Sequence, residues 1–213
     1  MFQALTAGSS FGSVTITAYD AYGNMKTDYT GSVYFTSSDS AATLPYTSSS
    51  KFLFVSGDNG SHTFSGFTLK TTPSQTITVT DGSVSKQSAS ITVNPGGATH
   101  FVLSGFPSPT GSGAAHTVTV TAYDVYGNVA AGYVGTVKIT SSDSQAVLPS
   151  NYAFQASDNG VHSFSITLKT AGLQSITATD TVTSSITGSQ TGITVNVALT
   201  VVVSPVSWTI DVG

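Results

Sequence analysis

Polar and apolar residues alternate one by one along most of this chain. In Val118-Thr-Val-Thr-Ala122 every second residue is apolar, and Val14, Ile16 and Ala18 keep the same beat in the first half. A period of two places such side chains on one face of a strand, and no stretch carries apolar residues at helical spacing. In the second half the pattern predicts strands at 99–104, 116–123, 135–141, 146–155, 161–169, 174–180 and 190–197, separated by clusters of Gly, Asn, Asp, Ser and Pro. The inward parity nominates a core of Val33, Phe35, Phe64, Leu69, Ile77, Val79, Ile91 and Val93, then Val137, Ile139, Phe164, Ile166, Leu168, Ile176, Ile193 and Val195. Tyr34 in one half becomes Lys138 in the other, as suits an outward site between two inward ones.

The chain is a duplication. Ser13-Val-Thr-Ile-Thr-Ala-Tyr-Asp-Ala-Tyr-Gly-Asn24 returns as Thr117-Val-Thr-Val-Thr-Ala-Tyr-Asp-Val-Tyr-Gly-Asn128, and Asp58, Asp81 and Asn94 return as Asp158, Asp180 and Asn196. That period is too long for a solenoid repeat and matches a whole domain with its own core. Seven short strands per copy is the count of an immunoglobulin-like sandwich. The expected fold class is therefore all-β: two tandem antiparallel sandwiches, residues 1–95 and 98–197, with 198–213 as the start of a further module or a spare strand. The first copy is expected to have a shortened first strand, and its Tyr46–Gly57 region is longer than the matching stretch of the second copy. Pro95-Gly-Gly97 is a short junction, so the modules should touch.

Composition removes several function classes. Among 213 residues there is no Arg, no Glu and no Cys, and the net charge of −4 offers no basic groove for nucleic acid. A hydrophobic fraction of 39% still permits sizeable cores. No apolar run is long enough to span a membrane, and the first residues lack the pattern of a signal peptide. Richness in Ser, Thr, Gly and Ala with almost no Lys suits an exported surface protein.

The segment from Asp124-Val-Tyr-Gly-Asn128 to Ile139, together with Ala146-Val-Leu148 and Asp158-Asn-Gly-Val-His-Ser-Phe164, resembles bacterial Ig-like domains of the invasin and intimin kind. Both copies carry the resemblance, over about 11–94 and 98–196, although Met25 and Val129 stand where that family usually has Pro. Ser204-Pro-Val-Ser-Trp-Thr-Ile-Asp-Val-Gly213 is similar to the start of Ig-like modules in multidomain surface proteins. The resemblance implies a spacer or adhesive array outside the cell.

Candidate chemistry is sparse. No Gly-x-Ser-x-Gly elbow exists, and the duplicated His62 and His162 read as packed, hydrogen-bonded histidines, so no catalysis is expected. Eight of the ten Asp form matched pairs. Asp20, Asp58 and Asp81 should gather at one end of the first module, and Asp124, Asp158 and Asp180 at one end of the second, the latter facing the junction. Such oxygens could hold calcium, but Asp is also an ordinary turn former, and no Asp-x-Asp-x-Asp loop is present. Asn59-Gly-Ser61 is a glycosylation sequon that Asn159-Gly-Val161 breaks. Tyr19, Tyr22, Tyr123 and Tyr126 are expected to plug the sandwich ends, the alternative being exposed rings that stack on sugars or enter an interface. Lys70 and Lys169 should form surface ion pairs with Asp39 and Asp143.

These features point to a non-catalytic structural spacer of a secreted or cell-surface protein, an adhesin or an extracellular filament, whose partners are its own neighbouring modules. A filament would use Leu199-Thr-Val-Val-Val203 as a spare strand. The alternatives are a module that binds a glycan or protein through its tip loops, and an accessory domain of an extracellular hydrolase.

Overall fold

A computed structural model of the protein describes residues 4–197. In the second module, strands His100–Ser104, Ala115–Tyr123 and Val161–Thr167 pair antiparallel as one sheet. The facing sheet runs Thr110–Gly111, Thr187–Asn196, Gly172–Asp180, Thr136–Ser141 and Tyr152–Ala153. Its edge segment Thr110–Gly111 pairs parallel with Thr187–Asn196, the one departure from an antiparallel sandwich. The chain thus enters on one sheet, crosses at Phe106–Pro109 and joins the other. The strand expected at 146–155 is mostly loop, with Val147 bridged to Thr167 and Tyr152–Ala153 paired, because Leu148-Pro-Ser150 interrupts the ladder between them.

The first module repeats this plan in shorter pieces. Val14–Thr17 pairs with Ser61–Phe64, and Ser32–Ser37 lies between Ile77–Thr80 and Phe52–Leu53. Leu5–Thr6 pairs parallel with Ile91–Asn94, as Thr110–Gly111 does with its partner. The first strand is more than shortened: among the described residues nothing corresponds to His100–Ser104, so the Val14–Thr17 edge has no neighbour on that side. The segment 198–213 lies outside the described residues.

Alternation placed the cores correctly. All sixteen nominated residues are buried except Val79, which is half-buried, and Lys138 points outward. The first module fills its core with rings: Phe35 packs edge-on against Phe64 and Phe67 at 5.0 and 4.9 Å. The second places Ile139 and Ile166 where the first has Phe35 and Phe67. The two cores form separate clusters. Truncating a fully buried aliphatic side chain removes transfer energy and leaves a cavity. Leu168→Ala is therefore expected to lower stability of the second module by about 2–5 kcal/mol, and Leu69→Ala that of the first. Calorimetry should show each substitution moving its own module's transition.

Candidate functional site: the junction and the module ends

Each module is braced by carboxylates that accept backbone amides. Asp143, almost fully buried, takes the amides of Lys169 and Thr170 on Oδ2 at 2.5 and 2.9 Å, and on Oδ1 the Gln145 amide at 2.9 Å and the Thr170 hydroxyl at 2.6 Å. Asp39 repeats this with Lys70, Thr71 and Ala41. The expected ion pairs with Lys70 and Lys169 are replaced by these contacts: the carboxylates bind the lysine amides, because a buried group needs donors held in place by the fold. The Lys70 ammonium instead lies near Thr43 and over the Tyr126 ring. Burial is the largest influence on the Asp143 carboxyl and acts upward, but its donors outweigh it and hold the pKa at about 2, against the ordinary 3.8.

The six aspartates considered for calcium are each occupied in a turn. Asp20 Oδ1 accepts the Tyr22 and Asn24 amides, and Asp81 Oδ1 those of Ser83 and Val84. Asp81 also accepts the Tyr29 hydroxyl, as Asp180 accepts that of Tyr133. Burial first, then the bond to Asp180, raises the Tyr133 pKa. These two tyrosines, not the four nominated from the sequence, close the ends of the sandwiches. Asp58 and Asp158 cap short 3-10 turns through the Val55 and Gln155 amides at 2.8 and 2.7 Å. Among the described residues, no three carboxylate or imidazole groups converge to hold a metal ion.

Asn59 follows its turn in the left-handed region at φ 49°, as does Asn159. The next glycines have φ of 75° and 77°, and a Cβ there would meet the Lys26 or Ala130 carbonyl at 2.2 or 2.6 Å. Asp-Asn-Gly is thus repeated because the backbone demands it. The Asn59 side chain is exposed. His62 and His162 are half-buried, the first tilted over Phe52 and the second stacked on Tyr152 at centroid distances of 4.1 and 3.7 Å, with Nδ1 facing Asp58 and Asp158 at 2.9 and 3.5 Å. The Tyr46–Gly57 insert forms a small turn closed by Thr47 and Ser50, and Tyr46 packs edge-on against Phe52.

The junction joins the two modules by specific contacts. Asp124, wholly buried, accepts the Gly96 amide on Oδ2 at 2.9 Å and holds the Asn128 side chain at 2.8 Å. Asn128 in turn donates to the Lys70 carbonyl at 2.8 Å and accepts the Thr72 amide at 3.1 Å. Tyr126 lies so close over Gly8 that a Cβ there would fall 2.1 Å from its hydroxyl oxygen. The tyrosine read as an end plug is therefore an interface residue. Burial, the largest influence, pushes the Asp124 pKa up, but the bonds from Asn128, Gly96 and Tyr126 bring it below its ordinary value.

At the far end of the first module the same motif faces solvent. Tyr22 is 91% exposed and Tyr19 63%. Beside it an open groove of about 760 Å³, lined among others by Ile16, Tyr29, Phe54 and Val79, occupies the region that Phe101 fills next to Tyr133 in the second module. The groove is not a simple copy of that slot. Lys86 stands where the second module has Gly188, at which a Cβ would come within 2.0 Å of the Phe101 carbonyl oxygen.

These features define a class: tandem immunoglobulin-like β-sandwiches joined through a hydrogen-bonded junction. No family model matches the chain, and no curated protein matches its sequence. Among solved structures, it is similar to domains 1–6 of the surface layer protein SbsC, at 18% identity over 86% of this chain and 23% of that one, with a TM-score of 0.37. It is similar to the Yersinia pseudotuberculosis adhesin InvE, at 18% identity over 91% of this chain and 56% of that one, TM-score 0.38. Invasin, a bacterial integrin-binding protein, gives 19% identity over 92% and 37% of the two chains, TM-score 0.36. No helix among the described residues is long and apolar enough to cross a membrane.

Removing the Asp143 carboxylate strands four donors, and each bond to a charged acceptor is worth about 1.5–3 kcal/mol when first broken. Asp143→Ala should cost at least about 3 kcal/mol at neutral pH, the sum staying below four full bonds where water reaches the stranded donors, read by denaturant unfolding. Because the folded carboxyl ionises below the unfolded one, its stabilisation is complete above the ordinary value of 3.8 and is lost as pH falls through about 2. The substituted protein should therefore lose less stability over that interval than the parent.

Proposed function

We propose that this pair of modules is a non-catalytic structural spacer from a secreted or cell-surface protein, of the kind used in adhesins or extracellular filaments. The observation that supports it is the junction. A flexible tether needs only Pro95-Gly-Gly97, yet Asp124, Tyr126 and Asn128 fasten that tether and the preceding module to the second sandwich. Such contacts set an angle between domains and let a string of them transmit length. In this reading the six aspartates brace turns, and Asn59 is a turn residue whose exposure leaves glycosylation open as a modification.

Two measurements test the spacer. In the parent protein, residual dipolar couplings should fit one common alignment tensor for both modules. Asn128→Ala combined with Tyr126→Ala should split them into two tensors and leave the first module's unfolding transition in place, while the second module's falls by about 1–3 kcal/mol because the buried Asp124 loses a donor. Two tensors in the parent would sink the reading. Calcium or a chelator should leave the melting temperature unchanged, and a shift that saturates with calcium would return the aspartates to the role of metal ligands.

A second reading, recognition of a glycan or protein by the tip loops, is favoured by the exposed Tyr19 and Tyr22 beside the groove of the first module. A glycan array probed with the intact chain separates the two. An accessory domain of an extracellular hydrolase would share this architecture, with its chemistry elsewhere.

A further inference from the structure

The junction is a contact between unlike surfaces: the lower end of one module, carrying Gly8 and Lys70–Thr72, and the upper tip of the next, carrying Asp124, Tyr126 and Asn128. The duplication gives each module both surfaces. Asp20, Tyr22 and Asn24 reproduce the tip on the first module, where all three are exposed. Gly113 and Lys169–Ala171 reproduce the lower end on the second, where they too are exposed. The local geometry is already set at both. Asp20 braces the Tyr22 and Asn24 amides as Asp124 braces those of Tyr126 and Asn128, at 2.8–2.9 Å in every case. Asn24 Nδ2 is held by Asp20 at 3.1 Å, as Asn128 is by Asp124. Gly113 has φ of 85° against 80° at Gly8, and each donates its amide to the leucine carbonyl beside it, Leu168 or Leu69, at 2.8 Å.

We propose that the exposed tip of the first module is a docking surface for the lower end of the second module of another copy of this chain, so that copies join head to tail by repeating the internal junction. Every internal partner but one has a counterpart. Asn24 Nδ2 donates to the Lys169 carbonyl, beside the Ser112 hydroxyl that this oxygen already accepts at 2.6 Å, and Asn24 Oδ1 accepts the Ala171 amide, in place of Lys70 and Thr72. Tyr22 covers Gly113, which has nothing within 4 Å of a would-be Cβ, leaving room for a ring. The Lys169 ammonium lies over that ring, as Lys70 Nζ lies 5.9 Å from the Tyr126 centroid. Ala198 falls at the sequence position of Gly96, whose added Cβ would sit 3.5 Å from Asp124 Cβ, an ordinary contact. One partner is lost: the Thr72 hydroxyl that approaches Asn128 at 3.4 Å becomes a methyl group in Ala171.

Such an interface is heterologous, and it generates an open filament unless the rotation closes a ring. It lacks the covalent tether that holds the internal junction at an effective concentration of order mM. Association is therefore expected at chain concentrations of that order. This inference goes beyond the spacer reading, whose tensor measurement succeeds or fails in the monomer whether or not copies associate.

The chain has no Cys, which allows a direct test. With Ala21→Cys and Ala114→Cys in one chain, neighbours of Tyr22 and Gly113 that make none of the docking contacts, a short bismaleimide should produce a ladder of covalent multimers at about 1 mM, on the order of a short tether's effective concentration. Lys138→Cys paired with Ala21→Cys should give several-fold less. Sedimentation of the parent should show mass rising with concentration. Tyr22→Ala with Asn24→Ala, two exposed positions, should abolish the rise while leaving the unfolding transitions in place. A parent that stays monomeric, a ladder of equal yield from the control pair, or undiminished assembly of the tip variant would each overturn the proposal.

Discussion

Backbone amides at the ends of strands must find acceptors, and in this protein carboxylates supply them. With no Arg or Glu and only six Lys, the chain offers few side-chain cations to neutralise a buried acid. Its buried aspartates are met by N–H dipoles instead: four donors surround Asp143, and Asp124, Asp180 and Asp39 are treated alike. A carboxylate so surrounded stays ionised at depth and fixes the loop that supplies the donors. Strand register follows, because the braced loops fix where each strand begins.

The junction applies the same device between modules. Asp124 does for Gly96 and Asn128 what Asp143 does for Lys169 and Thr170, with the difference that its donors lie partly in the linker. An ion pair at that place would be weakened by salt and would tolerate many geometries. Buried hydrogen bonds to a linker amide and to the carbonyl and amide of the neighbouring module accept few. Fold stability and inter-module geometry therefore rest on one kind of contact, which is why an array of such modules can be assembled by duplication alone.

Much of the architecture was legible from residues 13–24 and 117–128 and the alternation around them. Inward parity found both cores because a strand's two faces see different environments, and parity is a local property. Asp-Asn-Gly was readable as a turn for the same reason. Harder to read was the use of the lysines: Lys70 and Asp39 suggested an ion pair, and only the packed loop reveals that the amide is the donor. The tyrosine assignment failed similarly. Tyr29 and Tyr133 close the ends because Asp81 and Asp180 lie opposite them, some fifty residues away in sequence.

The two copies of Tyr-Asp-x-Tyr-Gly-Asn mark the boundary between what sequence and tertiary structure each decide. Sequence by itself determined the local turn: the same aspartate, the same amides and the same distances recur in both places. Tertiary structure alone decided that Asp124 is wholly buried while Asp20 is exposed, and that Tyr126 lies on a glycine while Tyr22 stands in solvent. Turn geometry depends on residues within reach of one another along the chain, whereas burial depends on which surface the rest of the molecule brings alongside.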